Sequence, residues 1–291
     1  MASVVIPAHN EEAVIGRCLD GIIDGAGLDE FEIVVVANGC SDATAEVARA
    51  RSGVTVIELE QASKIAALNA GDQAASRFPR HFVDADLELD AHALRRVGEV
   101  LTADGVLMAA PRTVTNVDGR PWLVRAFYDI FGRLPYASGD HLAGVYSLSE
   151  EARGLFDTFP EVLADDLFVS SRVRADQRRT LDDVSFVVHA PNSTRQLVAT
   201  RARMHAFNAA QSDLMRGAVE ENRKGQIGGL IELSREPRLW PRLAAYVGLV
   251  VLIKARAWWK IRQGTFAAWD RDETSRDTET EVATADGDGA V

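Results

Sequence analysis

A chain of 291 residues with 47% hydrophobic side chains can build one large domain, or one domain with an appendage, around a sizeable core. Its formal net charge of −11 argues against non-specific binding of nucleic acid or anionic lipid by the whole surface. It does not exclude phosphate binding at one site, because a bound divalent cation reverses the local field.

Strand and helix signals alternate through the first hundred residues. SVVIPA predicts a short buried strand ended by Pro7. Asn10 then caps a helix with the apolar stripe Val14, Ile15, Cys18, Leu19, Ile22 and Ile23. FEIVVVA predicts a second strand, followed by the turn NGCSD and the helix ATAEVARAR; VTVIEL predicts a third strand and KIAALNAGDQAAS a helix. HFVDA is the fourth strand, Asp90 caps the helix carrying Leu94, Val97 and Leu101, and GVLMAA is the fifth strand. Apolar strands alternating with amphipathic helices predict an α/β fold, its parallel sheet covered on both faces. Ligands bind such sheets at the strand C-termini. Asn10, Asn38 and the pair Asp84/Asp86 all follow strand ends, so all belong to one rim.

Beyond residue 111 the pattern is irregular. PWLVRAFYDIFGRLPYASGDHLAGVYSL mixes aromatics, Gly and Pro as a substrate-facing segment does. ADDLFVSSRVRA predicts a helix opened by two acids, VSFVVHA a strand, and residues 194–216 a long helix. LAAYVGLVVLI, at 243–253, is the most apolar run and falls short of the ~20 residues a membrane span needs. Arg242, Lys254, Arg256, Lys260 and the tryptophans 240, 258 and 259 flank it, so it reads either as an interfacial helix or as a buried C-terminal helix. The acidic stretch from Asp272 lacks apolar periodicity and is expected to be disordered. Two cysteines make no disulfide framework, and the chain starts directly with a strand, without a secretory pattern; both imply a reduced intracellular compartment.

Walker-type and strand-linked GxGxxG motifs are absent, as are zinc-spaced Cys/His clusters and a GxSxG elbow. Oxygen chemistry remains. Residues i and i+2 of a strand share a side, so Asp84 and Asp86 are either a site for Mg²⁺ or Mn²⁺, hard ions that suit carboxylates and phosphate oxygens, or two acids lining a loop.

VVIPAHNEE, VVVANGCSDAT, SKIAALNAG and FVDADLELD follow one another in the order and at the spacings of family 2 inverting glycosyltransferases with the GT-A fold, and the chain resembles that family from residue 3 to about residue 205. FPEVLADDLFVSSRV resembles the acidic segment that ends in the family's catalytic base, and APNSTRQLVATRARMHA the helix beyond it. The resemblance implies a nucleotide over the first three strand ends, with Pro7, Ala8 and Glu11 lining base and ribose. Asn38 stands where many members have an Asp that reads uracil. Lys64 lies beside the nucleotide, Asp84 contacts the ribose or the metal, and Asp86 ligates the metal. Asp166 matches the general base, with Asp165 its neighbour. The independent reading of Asp165 and Asp166 is a helix N-terminus with favourable dipole charges. His189, at a strand end, is a third metal ligand in some relatives and elsewhere structural. Arg203 falls where processive members have QxxRW, but TRARM lacks the Gln and the Trp, which implies a non-processive enzyme. His141, Gly144 and Tyr146 match the acceptor-proximal segment loosely. Trp122, Phe127, Tyr128 and Tyr136 stack on a sugar or belong to the core.

These readings predict a GT-A-type, mostly parallel sheet with helices on both faces and a helical C-terminal extension. Residues 1–110 form the nucleotide-sugar half, 111–205 the acceptor-binding and catalytic half, 206–271 the extension and 272–291 the tail. The expected function is metal-dependent transfer, with inversion, of one sugar from a UDP-linked donor to a hydroxyl acceptor, using Mn²⁺ or Mg²⁺. The alternatives are a sugar nucleotidyltransferase or a non-catalytic nucleotide-sugar-binding protein. Expected partners are the donor and an acceptor, with no nucleic acid. The expected location is cytoplasmic, peripheral on the inner membrane face if residues 240–260 are interfacial.

Overall fold

The computed structural model describes residues 1–103, 105–134, 144–161, 164–210 and 226–263. Tyr136, His141, residues 211–216 and the tail from 272 lie outside the described residues. The chain divides into two compact units, residues 1–115 with 138–188 and residues 116–137 with 189–291.

The first unit is built on a seven-stranded sheet of order β3-β2-β1-β4-β6-β5-β7. Its strands are β1 Ala2–Ala8, β2 Phe31–Asn38, β3 Val54–Leu59, β4 Arg80–Val83, β5 Met108–Asn116, β6 Val145–Leu148 and β7 Arg178–His189. β1 pairs in parallel with β2 and β4, and β2 with β3. β6 runs antiparallel to both β4 and β5, which makes the sheet mostly parallel. Every residue of β1 is buried, as expected of a strand covered on both faces.

Side-chain parity sorts the helices. Val4 and Ile6 of β1 point into a cluster with α1 (Ile15–Asp24), α2 (Thr44–Arg49) and α4 (Ala91–Leu101). Val5 points the other way, into a cluster with Ile65 and Leu68 of α3 (Lys64–Ala74) and Val169 of α6 (Asp165–Arg172). α3 lies close on the sheet because residue 71 is glycine. A Cβ there would come within 2.4 Å of a Val5 methyl.

Two local expectations change. Asn10 does not cap α1, whose first turn follows Val14 without a side-chain cap. Asn10 instead adopts a positive φ of 51°, a region that Asn tolerates, and its Oδ1 accepts from the Ser41 N–H at 2.7 Å. Pro7 does not end the first strand, because the parallel register continues to Ala8↔Ala37. Asp90 does cap α4, accepting from the Ala93 N–H at 2.7 Å.

The second unit contains α5 (Trp122–Phe131), α7 (Thr194–Ala210), a short α8 at 226–233 and α9 (Trp240–Gln263). Val124, Phe127 and Ile130 of α5, Leu197, Val198 and Ala202 of α7, and the inner face of α9 share one apolar cluster. Phe127 is core, Tyr128 packs against it, and Trp122 is exposed. Among the described residues no helix is long and apolar enough to cross a membrane.

Candidate active site

The rim begins where β1 and β2 end. Asn38, the last residue of β2, donates from Nδ2 to the Ala8 carbonyl at 2.7 Å, which fixes the orientation of its amide. Its Oδ1 is buried without a hydrogen-bond partner among the described residues, an acceptor whose desolvation they leave uncompensated. Gly39 turns the chain here with φ 57°. A Cβ at that position would run into Ala62. Two loops of the rim are tied together. The Glu11 N–H donates to Thr44 Oγ1 at 2.7 Å, and the Ala43 N–H to Glu12 at 3.0 Å. Glu11 is buried, and its carbonyl accepts from Val14 and Ile15 at the start of α1.

After β4 the ladder bonds of the strand stop at Val83, yet burial still alternates through Asp90. Val83, Ala85, Leu87 and Leu89 enter the core, while Asp84 and Asp86 turn outward. Asp84 keeps one bridge to the chain before β6, its N–H donating to the Gly144 carbonyl at 2.9 Å. Behind the pair, the Cys18 thiol is fully buried and pushed up to about 12, by burial and then by the charges of Asp86 and Asp84, so it is chemically inert at neutral pH.

Lys64 joins this segment to α6. It is the first residue of α3, placed by the Ser63 cap, whose hydroxyl accepts from the Ala66 N–H. Its ammonium lies 2.8 Å from Asp84 Oδ1 and 3.0 Å from Asp165 Oδ1. The other Asp165 oxygen accepts from the Tyr146 hydroxyl at 2.9 Å. Tyr146 is held by β6, where it pairs with Phe82 and stacks on its ring at 5.0 Å. Burial works against the Lys64 charge, but the carboxylates of Asp165 and Asp84 outweigh it and hold the ammonium well above its usual range. Burial and the Asp165 charge keep the Tyr146 phenol protonated.

Asp165 and Asp166 therefore differ sharply. Asp165 is buried with both oxygens engaged. Asp166, one residue and about 100° further round α6, forms no salt bridge among the described residues. Its carboxyl is raised to about 6, by burial and then by the Asp165 charge. Asp86 is exposed and has neither an ion pair nor a hydrogen bond among the described residues. α3 also fixes the approach to α6. Asn69 donates to the Phe159 carbonyl at 3.0 Å and accepts from the Phe159 N–H at 2.8 Å. Asp72 binds Arg80 of β4 and, at 2.7 Å, Arg153 in the helical turn after β6.

The sequence model of glycosyl transferase family 2 matches residues 3–147, which run from β1 into β6 and include Lys64, Asp84 and Asp86. Over these residues, about half of its length, the chain belongs to this family. Among curated relatives, glycosyltransferase AglE of Haloferax volcanii is 33% identical over 110 residues. That alignment covers 36% of this chain and 36% of AglE, well under two thirds of its length. A mannosyltransferase of Pyrobaculum calidifontis, solved with GDP-mannose and Mn²⁺, has the same fold at a TM-score of 0.59 and 20% identity, over 91% of this chain and 84% of that one. Glucosyl-3-phosphoglycerate synthase of Mycobacterium tuberculosis, solved with Mn²⁺, UDP-glucose and phosphoglyceric acid, gives 0.51 at 24% identity, over 71% and 78%.

For a family 2 glycosyltransferase the described residues bring together Lys64, Asp84, Asp165 and Tyr146 directly, with Asp86 and Asp166 adjoining in sequence. Pro7, Ala8, Glu11 and Asn38 line the ends of the two strands beside them. His189 is the last residue of β7 and counts with the second unit. Among the described residues no three His, Cys, Asp or Glu side chains form a cluster ready to hold an ion. Asp84 and Asp86 nevertheless supply hard oxygen donors, one unpaired and one already neighbouring a positive charge, and this donor set suits Mn²⁺ or Mg²⁺. Sequence reasoning did not find Tyr146 as the partner of Asp165, nor Asn69 as the anchor of Phe159. The loose match of Gly144 and Tyr146 to the acceptor-proximal segment pointed to the first residue but not to its partner, and nothing local carried the second.

Proposed function

We propose that this protein transfers one sugar from a nucleoside-diphosphate donor to a hydroxyl acceptor with inversion, Asp166 acting as general base. The observation that carries the reading is the asymmetry of the two adjacent acids. Asp165 is committed to Lys64 and Tyr146, whereas Asp166 has no salt bridge among the described residues and a carboxyl at about 6. A base poised near neutrality is suited to take a proton and still to be ionised at working pH. In the proposed step the acceptor oxygen attacks the anomeric carbon from the face opposite the leaving group. Its proton passes to Asp166 as the bond to the nucleoside diphosphate breaks. The Lys64 ammonium adds positive charge to the rim where the diphosphate leaves.

Asp84 and Asp86 would hold Mn²⁺ or Mg²⁺, which when bound supplies Lewis-acid neutralisation of the leaving phosphate. Uracil is the proposed base, because its imide N–H matches the unsatisfied Asn38 Oδ1. Pro7, Ala8 and Glu11 would line base and ribose. A peripheral contact of residues 240–260 with the cytoplasmic membrane face belongs to the same reading, supported by the tryptophans and cations of that stretch.

The test is calorimetry of UDP, GDP, ADP and CDP with and without Mn²⁺, followed by turnover of the corresponding sugars. Mn²⁺-dependent binding that ranks UDP first supports the reading. Absence of binding by every nucleotide removes it.

A further inference from the structure

α9 is apolar on two sides. Its inner face, Leu243, Tyr246, Leu249, Ile253 and Ala257, is buried in the core of the second unit. At 100° per residue the opposite side carries Trp240, Val247, Val251, Leu252, Trp258 and Trp259. All six are exposed, Val251 by 62% and Trp240 and Trp259 by 60% each. A contiguous exposed apolar surface of this kind marks an interaction site.

The charge around that face selects the occupant. α9 contains no acidic residue; its Arg242 is paired with Asp129 of α5 at 2.7 Å, which leaves Lys254, Arg256, Lys260 and Arg262 as the cations around the face, within a chain of net charge −11. Pairing with a second copy of the helix would bring these cations together with no counter-charge from either helix. A negatively charged lipid surface supplies that charge along the whole length. Trp240 and Trp258 lie five helical turns apart, roughly 27 Å, at the same azimuth. Their amphipathic rings thus face one plane from both ends of the helix, as indoles do at a headgroup boundary.

We infer that the outer face of α9 seats flat on an anionic lipid surface, its tryptophans and aliphatic side chains in the headgroup boundary and its cations at the rim. This deepens the membrane contact proposed above and is independent of the transfer chemistry. The remainder of the acidic chain is repelled by such a surface, so attachment depends on this helix and weakens with salt.

The experiment is co-sedimentation of the full chain with vesicles of phosphatidylcholine alone and of phosphatidylcholine mixed with phosphatidylglycerol. The expected result is pelleting with the anionic vesicles, lost at high salt. The double variant Val251→Glu/Trp258→Glu should reduce pelleting about tenfold or more while leaving far-UV circular dichroism and nucleotide binding unchanged. Equal pelleting of wild type and variant overturns the assignment of this face, though a membrane contact through other residues would survive. No pelleting with either vesicle overturns the membrane contact itself and leaves the donor chemistry standing. A concentration-dependent dimer that the variant abolishes, without vesicle binding, makes a second copy the occupant and overturns the inference.

Discussion

Among the described residues, Lys64→Met removes the one cation within reach of both Asp84 and Asp165. Asp165 is 3% exposed, so in the variant its carboxylate keeps, among the described residues, the Tyr146 hydroxyl alone. Breaking a buried ion pair by deleting one partner costs about 3–5 kcal/mol, since it strands the other charge. The Lys64 side chain is 22% exposed and that of Asp84 36%, so water takes up part of the loss and about 2–3 kcal/mol remains. At about 2–4 °C per kcal/mol for a chain of this size, the midpoint should fall by about 4–12 °C. Thermal unfolding at neutral pH, followed by circular dichroism, measures this, and urea unfolding gives the free energy. Asp165→Asn in the Lys64→Met background removes the stranded charge and should recover part of the stability, so the double-mutant cycle should show a coupling of about 1 kcal/mol or more. An unchanged midpoint in Lys64→Met, or a strictly additive cycle, would refute the ion-pair reasoning.

Because Asp166 titrates at about 6, kcat/KM should rise with pH through that value and level off above it, and Asp166→Asn should abolish this limb and lower turnover about 10²–10⁴-fold. The same raised value means that the folded state binds the proton more tightly than the unfolded chain. The Asp166 contribution to stability should therefore fall as pH rises from the ordinary carboxyl range through about 6 and stay constant above it, and Asp166→Asn should flatten that part of the profile in urea titrations. Asp86→Ala should weaken donor binding in Mn²⁺ by about tenfold or more, with an unchanged melting curve; equal affinity by calorimetry counts against the metal assignment. Asn69→Ala deletes both bonds to the Phe159 backbone and should cost about 1–3 kcal/mol in denaturant unfolding, a loss absent if the anchor is incidental.

The first half of the fold was legible because each strand there carries a short run of apolar, mostly β-branched residues between helix and turn signals. VTVIEL coincides with β3, and Ser63 and Asp90 announce α3 and α4 through their caps. The antiparallel insertion of β6 was not legible, since VYSL is four residues long and its partners, Phe82 and Met108, are distant in sequence. β5 runs on beyond Pro111 to Asn116, with Arg112, Thr113 and Val114 exposed, so the hydrophobic signal stops before the backbone does. β7 begins at Arg178, well before the apolar run VSFVV, for the same reason. At the site, the family spacing marked Lys64, Asp84 and Asp165. It could not say that one ammonium joins the two acids, because that contact spans separate loops. The different engagement of Asp165 and Asp166 depends on a phenol that the β4–β6 pairing brings near Asp165.

Inverting sugar transfer, with the Asp166 carboxylate as base, leaves its signature in the configuration of the product. The measurement that reads it most directly is proton NMR of the anomeric centre in the product formed from a UDP-sugar, Mn²⁺ and a panel of hydroxyl acceptors, with wild type and Asp166→Asn run side by side. Wild type should give a product of inverted configuration. The variant should transfer more slowly by about 10²–10⁴-fold, with donor affinity retained. A product that keeps the donor's configuration, or a variant that transfers at the wild-type rate, would contradict inverting transfer with Asp166 as base.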